Sequence, residues 1–230
     1  MVTRETATLT GKSISVDVYK EGATTPVSAV IVAYGTEGMN SPFNLLNEDF
    51  CVTASQAGHL VVLPHYFEST GTQAGTVGVS SDLNKSATWI DTLAACVDWV
   101  KGRISSDKVS FVGFSLGANL VLNAALKTPV TAIVDYFGPV DRFGILPMPA
   151  AMHLTDSRVS SVPPVMIHHG NQDNIVPDSQ SQKLKQWLDG HRIDCEFHND
   201  YDCGHPGQRE GVEWTATAQK TSLSRTIAYL

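Results

Sequence analysis

The stretch Val109-Ser110-Phe111-Val112-Gly113-Phe114-Ser115-Leu116-Gly117-Ala118-Asn119 sets a serine between two glycines, with a continuous apolar run before it and an apolar helical pattern after it. Strand, G-x-S-x-G and helix in that order describe a nucleophile elbow. The glycines remove the Cβ clashes of a sharp turn and leave Ser115 Oγ exposed over a helix N-terminus. A Gly-rich turn with a serine helix cap uses the same residue types, but the buried-strand context favours the nucleophile. Serine alone is a weak nucleophile, so a base must lie within hydrogen-bond reach and an acid must orient that base. Downstream, Val165-Met166-Ile167 runs into His168-His169-Gly170-Asn171-Gln172-Asp173, and a strand pattern from Asp194 to His198 is followed by Asp202-Cys203-Gly204-His205-Pro206-Gly207. The chain order Ser115, Asp173, His205 is that of nucleophile, acid and base. Asp178 competes for the acid role and reads better as a helix cap. His168 and His169 have metal-ligand chemistry, but no third and fourth ligand stands at zinc-like spacing, so no metal and no cofactor is expected.

Acyl transfer also needs donors for the developing oxyanion. Leu116 N–H, directly after the nucleophile, supplies the first. The second falls in Tyr34-Gly35-Thr36-Glu37-Gly38-Met39, where glycines let the backbone approach a substrate, and Thr36 is the candidate. Tyr34, Phe67, Phe114 and Phe143 are candidate apolar walls, and Glu37 joins the substrate-binding set.

The elements that must hold these residues follow from hydrophobic periodicity. Thr6 to Tyr19 alternates polar and apolar residues, as a half-solvated antiparallel strand pair turning near Gly11 would. Short continuous apolar runs at Ala29–Ala33, Leu60–Leu63, Val109–Val112, Ala132–Val134 and Val165–Ile167 predict parallel strands buried on both faces. Helical spacing covers Leu45–Ala57, Ala87–Val100, Leu116–Leu126 and Ser179–Leu188, with a final helix over Val212–Ala228. Strand and helix alternate, which means right-handed βαβ crossovers and helices on both faces of an open twisted sheet. In such sheets the ligand site lies beyond the carboxyl ends of the strands, where Ser115, Asp173 and Thr36 fall.

At 230 residues and 24.8 kDa, with 42% hydrophobic and 17% charged residues, the chain has the composition of one globular domain, residues 1–230. Folding should leave roughly 10,000 Å² of some 36,000 Å² exposed, enough burial to fold without disulfides. A net charge of −7 without a basic stripe argues against nucleic acid as a partner. No apolar run reaches membrane-spanning length, and the first residues carry no apolar core behind Arg4. A cytoplasmic enzyme without membrane contact, monomeric or homodimeric, is therefore expected. The four cysteines read as reduced thiols, with Cys195 and Cys203 able to pair.

With these residues placed, the chain resembles the dienelactone hydrolase family of the α/β-hydrolase fold from about Val27 to Gly211. The resemblance rests on Ala33–Asn40, Val61–Phe67, Tyr136-Phe137-Gly138, His169–Pro177 and Gly204-His205. It implies the α/β-hydrolase fold, in line with the mostly parallel twisted sheet, helices on both faces and N-terminal antiparallel pair read above, and the moderate length of Tyr136 to Pro163 leaves room for no large cap domain. It also implies an ester or lactone as small-molecule substrate. Arg209 matches one of the arginines with which the family's lactone enzymes hold a substrate carboxylate, while Glu68 to Asp82 has no Arg or Lys to match another. The family's type enzymes carry cysteine where Ser115 stands, and their oxyanion-loop glutamate falls at Gly35. These departures lead to the expectation of a serine esterase on small esters or lactones whose activity rises as His205 becomes neutral. The alternatives are a dienelactone-type enzyme acting on a carboxylate-bearing substrate, the same triad cleaving an amide or serving another acyl acceptor, and a ligand-binding module with negligible turnover.

Overall fold

A computed structural model describes residues 1–22, 25–143, 146–155, 159 and 162–230, with the side chains of Phe143 and Leu146 outside the described set. The chain opens with β1 (Val2–Leu9) and β2 (Lys12–Tyr19), paired antiparallel through Thr10-Gly11, both at positive φ (51° and 76°). A two-residue turn of that handedness matches the twist of the flanking strands. Alternation buries Ile14, Val16 and Val18 along one face of β2.

The order then becomes β3 (Ser28–Ala33), α1 (Asn44–Gln56), β4 (Leu60–Pro64), α2 (Thr76–Asp82), α3 (Ser86–Lys101), β5 (Lys108–Phe114), α4 (Leu116–Ala125) and β6 (Ile133–Tyr136). A two-residue hairpin, β7 (Arg142–Phe143) with β8 (Leu146–Pro147), precedes β9 (Val165–Gly170), α5 (Ser179–Gly190), β10 (Cys195–Tyr201) and α6 (Ala216–Tyr229). Eight strands form one sheet in the order β1-β2-β4-β3-β5-β6-β9-β10; β1, β2 and β4 run antiparallel, and every pairing from β4 onward is parallel. β4 and β9 are buried along their whole length, the consequence of helices covering both faces. α3 packs on α4 and α1 on α6. The exposed surface, 10002 Å², matches the area expected for this mass.

Several boundaries differ from the periodicity. β10 runs to Tyr201, beyond His198, through a register shift between the two. α6 starts at Ala216 instead of Val212, because the Thr215 hydroxyl caps it by accepting from Ala218 N–H at 3.1 Å, while Trp214 packs on Phe137 and Tyr201. α2 and the β7–β8 hairpin carry no apolar periodicity and were not anticipated. All four cysteines are free thiols, so Cys195 and Cys203 are not paired. Among the described residues no helix is long and apolar enough to cross a membrane.

Candidate active site

Ser115 stands between the end of β5 and the first residue of α4 with φ 52° and ψ −120°. A left-handed backbone at a non-glycine residue is costly and persists only where its surroundings fix it. Here Ser115 N–H donates to Tyr136 O at 2.8 Å, and its carbonyl accepts from Ala118 N–H at 3.0 Å. The flanking glycines permit the fit. A Cβ on Gly117 would lie 2.2 Å from Ala33 O, and one on Gly113 would lie 2.4 Å from Ala118 Cα.

Ser115 Oγ lies 3.1 Å from His205 Nε2, and His205 Nδ1 lies 2.7 Å from Asp173 Oδ2. The carboxylate fixes the proton on Nδ1 and leaves Nε2 to accept from the serine hydroxyl. Asp173 Oδ1 accepts from the backbone N–H groups of Ile175 at 2.9 Å and Val176 at 2.8 Å. Burial alone would raise the Asp173 pKa, but His169 and His205 beside it outweigh that and hold it at about 2. Asp173 is therefore ionised throughout the neutral pH range. Asp178 stands at the N-cap position of α5 without a side-chain cap hydrogen bond, its carboxylate accepting from Gln182 Nε2 at 3.0 Å.

A cavity of about 510 Å³ opens over Ser115 and His205. Thr36, Glu37, Phe114 and Arg209 line it. Gly35 brings the loop after β3 against Ser115, since a Cβ there would lie 3.1 Å from Ser115 Cβ. Thr36 O accepts from Gly75 N–H at 2.9 Å, and Glu37 accepts from the Thr76 hydroxyl at 3.2 Å, so the start of α2 holds this loop. Leu116 is buried at the first turn of α4, where N–H groups have no intrahelical acceptor.

Two expected walls lie elsewhere. The Tyr34 ring stacks on Tyr66 with centroids 4.4 Å apart, and Phe67 packs between Tyr34 and Trp89. Both side chains belong to an aromatic cluster away from the cavity lining, because the loop after β4 turns inward and Tyr66 O–H donates to Tyr34 O at 2.8 Å. The Phe143 side chain lies outside the described residues. The apolar walls are instead Phe43, Leu46, Phe137, Pro139, Ile175 and Val176.

Other contributors to the site escaped the sequence reading. Phe137, at φ 46°, sets its ring edge-on to His205 with centroids 4.7 Å apart. Gln208 is buried, accepts from His205 N–H at 3.0 Å and donates to Val212 O at 2.9 Å, tying the loop of His205 together. The Phe137 neighbourhood carried a signal, since Tyr136-Phe137-Gly138 ends a buried strand; Gln208 carried none. Among the described residues no group of three or more His, Cys, Asp or Glu side chains is placed to hold a metal ion.

A mostly parallel sheet with a strained serine at a strand-to-helix turn, an aspartate after β9 and a histidine after β10 defines the α/β-hydrolase class. The model of the dienelactone hydrolase family matches residues 16–230, and the chain belongs to that family. It is accordingly a carboxylic ester hydrolase, acting on an ester or lactone. No curated protein matches the sequence. Similar solved structures include a dienelactone hydrolase-like promiscuous phosphotriesterase from metagenomic libraries, with TM-score 0.78 and 19% identity over 100% of this chain and 96% of that one. A carboxylesterase from Lactobacillus plantarum has TM-score 0.66 and 16% identity over 100% and 97%. A dienelactone hydrolase from Anabaena variabilis has TM-score 0.69 and 15% identity over 100% and 96%. At such identities the likeness is one of fold.

Proposed function

We propose that the chain cleaves small carboxylic esters or lactones through a serine nucleophile and an acyl-enzyme. The observation that carries this reading is the continuous line from Ser115 Oγ through His205 to Asp173, at 3.1 Å and 2.7 Å, beneath a cavity. His205 Nε2 takes the Ser115 proton as Oγ attacks the carbonyl carbon, and Asp173 stabilises the imidazolium that forms. The N–H groups of Leu116 and Thr36 hold the oxyanion. The imidazolium then returns its proton to the leaving alkoxide, which departs and leaves the acyl group on Ser115. Water, deprotonated by His205, releases the acid and restores the serine.

Arg209 supports a second reading. It is exposed on the cavity lining with no ion pair among the described residues, and a guanidinium there suits a substrate carboxylate. Glu37 on the same cavity opposes it. Hydrolysis of p-nitrophenyl acetate, butyrate and octanoate by wild type and Ser115→Ala tests the primary reading. Turnover on the short esters that falls by about three orders of magnitude or more in Ser115→Ala supports it, and equal rates overturn it. Arg209→Ala separates the readings. A loss confined to a carboxylate-bearing lactone favours the second, and equal rates on the lactone and a neutral ester exclude it.

A further inference from the structure

β9 ends in two buried histidines that the reaction above does not use. His168 sits between two hydroxyls, with Tyr201 Oη 2.8 Å from Nδ1 and Thr226 Oγ1 3.0 Å from Nε2. His169 faces the acid of the triad instead. Its Nε2 lies 2.8 Å from Val176 O and 3.3 Å from Asp173 Oδ2. Both are acceptors, so the ring proton sits on Nε2. Nδ1 is then bare and accepts the hydroxyl of Ser181 on α5. The ring has both nitrogens satisfied and no exposed surface.

The grip on Asp173 is reciprocal. Val176 N–H donates to Asp173 Oδ1 while Val176 O accepts from His169, so the segment from Asp173 to Val176 is fixed at both ends. Asp173 Oδ2 lies 2.7 Å from His205 Nδ1 and 3.3 Å from His169 Nε2, whose shorter hydrogen bond goes to Val176 O at 2.8 Å. The titratable groups that face His169 are Asp173 and Asp135 of β6, and Asp135 is itself anchored by Gly138 N–H.

We infer that His169 is a positioning residue for the triad, fixing the Asp173 carboxylate and drawing on the charge that Oδ2 offers His205. It touches neither the substrate nor the reacting atoms, and the inference rests on the Ser115–His205–Asp173 reading. Without His169, the carboxylate turns more freely and Oδ2 serves His205 alone. The imidazolium is then better stabilised, and the acid limb of kcat/KM moves to higher pH. KM is unaffected, because His169 does not line the cavity.

The test compares wild type, Ser115→Ala, His169→Gln, His169→Met and Ser181→Ala on p-nitrophenyl acetate from pH 5 to 9, with thermal unfolding of each. Glutamine can replace the Nε2–H donor; methionine has similar volume and no donor. His169→Met should lower kcat about tenfold or more, leave KM within about twofold and raise the acid limb by about half a pH unit, whereas His169→Gln should recover most of kcat and the wild-type limb. If His169→Met does not fold, Ser181→Ala decides, with a severalfold loss of kcat and the same direction of shift expected. A folded His169→Met, or Ser181→Ala, with wild-type kcat and acid limb overturns the positioning role. Equal impairment of the glutamine and methionine variants with an unmoved limb overturns it too. Turnover retained by Ser115→Ala overturns the triad reading and this role with it; turnover lost in Ser115→Ala with unaffected His169 variants overturns this role alone.

Discussion

Alanine at position 117 should separate the elbow's geometry from ordinary helix propensity. A Cβ built there lies 2.2 Å from Ala33 O and 2.4 Å from Tyr34 O, and Tyr34 O is already held by the Tyr66 hydroxyl. Ordinary carbon–oxygen contact needs about 1 Å more than this, so the start of α4 and the end of β3 must part by roughly that distance. Overpacking of this kind costs about 1–3 kcal/mol, and against two backbone carbonyls the upper end applies. The gain from replacing a helical glycine, about 0.5–1 kcal/mol, offsets part of it and leaves a net loss of about 2 kcal/mol. For a chain of this length that lowers Tm by about 4–8 °C. Gly190, exposed at the end of α5 with nothing within 4 Å of its Cβ position, is the control. Gly190→Ala should stabilise by about 0.4–1 kcal/mol. Urea unfolding followed by circular dichroism measures both. Because the parting also moves Thr36 away from Ser115, ester turnover should fall about tenfold or more in Gly117→Ala and stay unchanged in Gly190→Ala. A Gly117→Ala protein that unfolds at the wild-type midpoint and turns over normally would refute the steric reasoning.

The two buried aspartates of the site region should respond to pH with opposite signs. Asp173, depressed to about 2 by its histidine neighbours against burial, contributes about 2 kcal/mol that is present above pH 4 and lost as pH falls towards 2. The stability gap between wild type and Asp173→Asn should shrink over that range in urea titrations. Asp135, raised to about 6 by burial and with Oδ2 unpartnered, has a folded pKa above its unfolded value, so its contribution is full below about pH 4 and lost as pH rises through 6. Asp135→Asn should therefore improve relative to wild type by about 3 kcal/mol between pH 4 and pH 7, and a pH-independent difference would count against this. Thr215→Ala removes the N-cap of α6 and should cost about 1 kcal/mol in the same assay with unchanged kcat/KM.

The strands and the elbow were legible because their signals are local. A run such as Val165–Ile167 buried on both faces must be uniformly apolar, and a strand-to-helix turn as tight as that at Ser115 demands glycine on either side. What a buried side chain touches is not local. Tyr34 and Phe67 have the residue types of a pocket wall, yet the inward turn after β4 commits Tyr34 to Tyr66 and Phe67 to Trp89, while Phe43 and Leu46 reach the cavity from α1 and its approach. Glu37 and Arg209 do line the cavity, and their placement follows from sitting directly after Thr36 and near His205. Gln208 and His169 bond to backbone amides and carbonyls whose positions only the folded chain creates.

Covalent capture of the acyl-enzyme tests the central claim most directly. Wild type mixed with p-nitrophenyl butyrate, quenched in acid before turnover is complete and digested for mass spectrometry, should carry a butyryl group on the peptide containing Ser115. In His205→Ala acylated with an activated ester that adduct should persist longer, and it should be absent from Ser115→Ala. An unmodified Ser115 in a protein that still releases p-nitrophenol, or an acyl group on any other residue during turnover, would contradict the account.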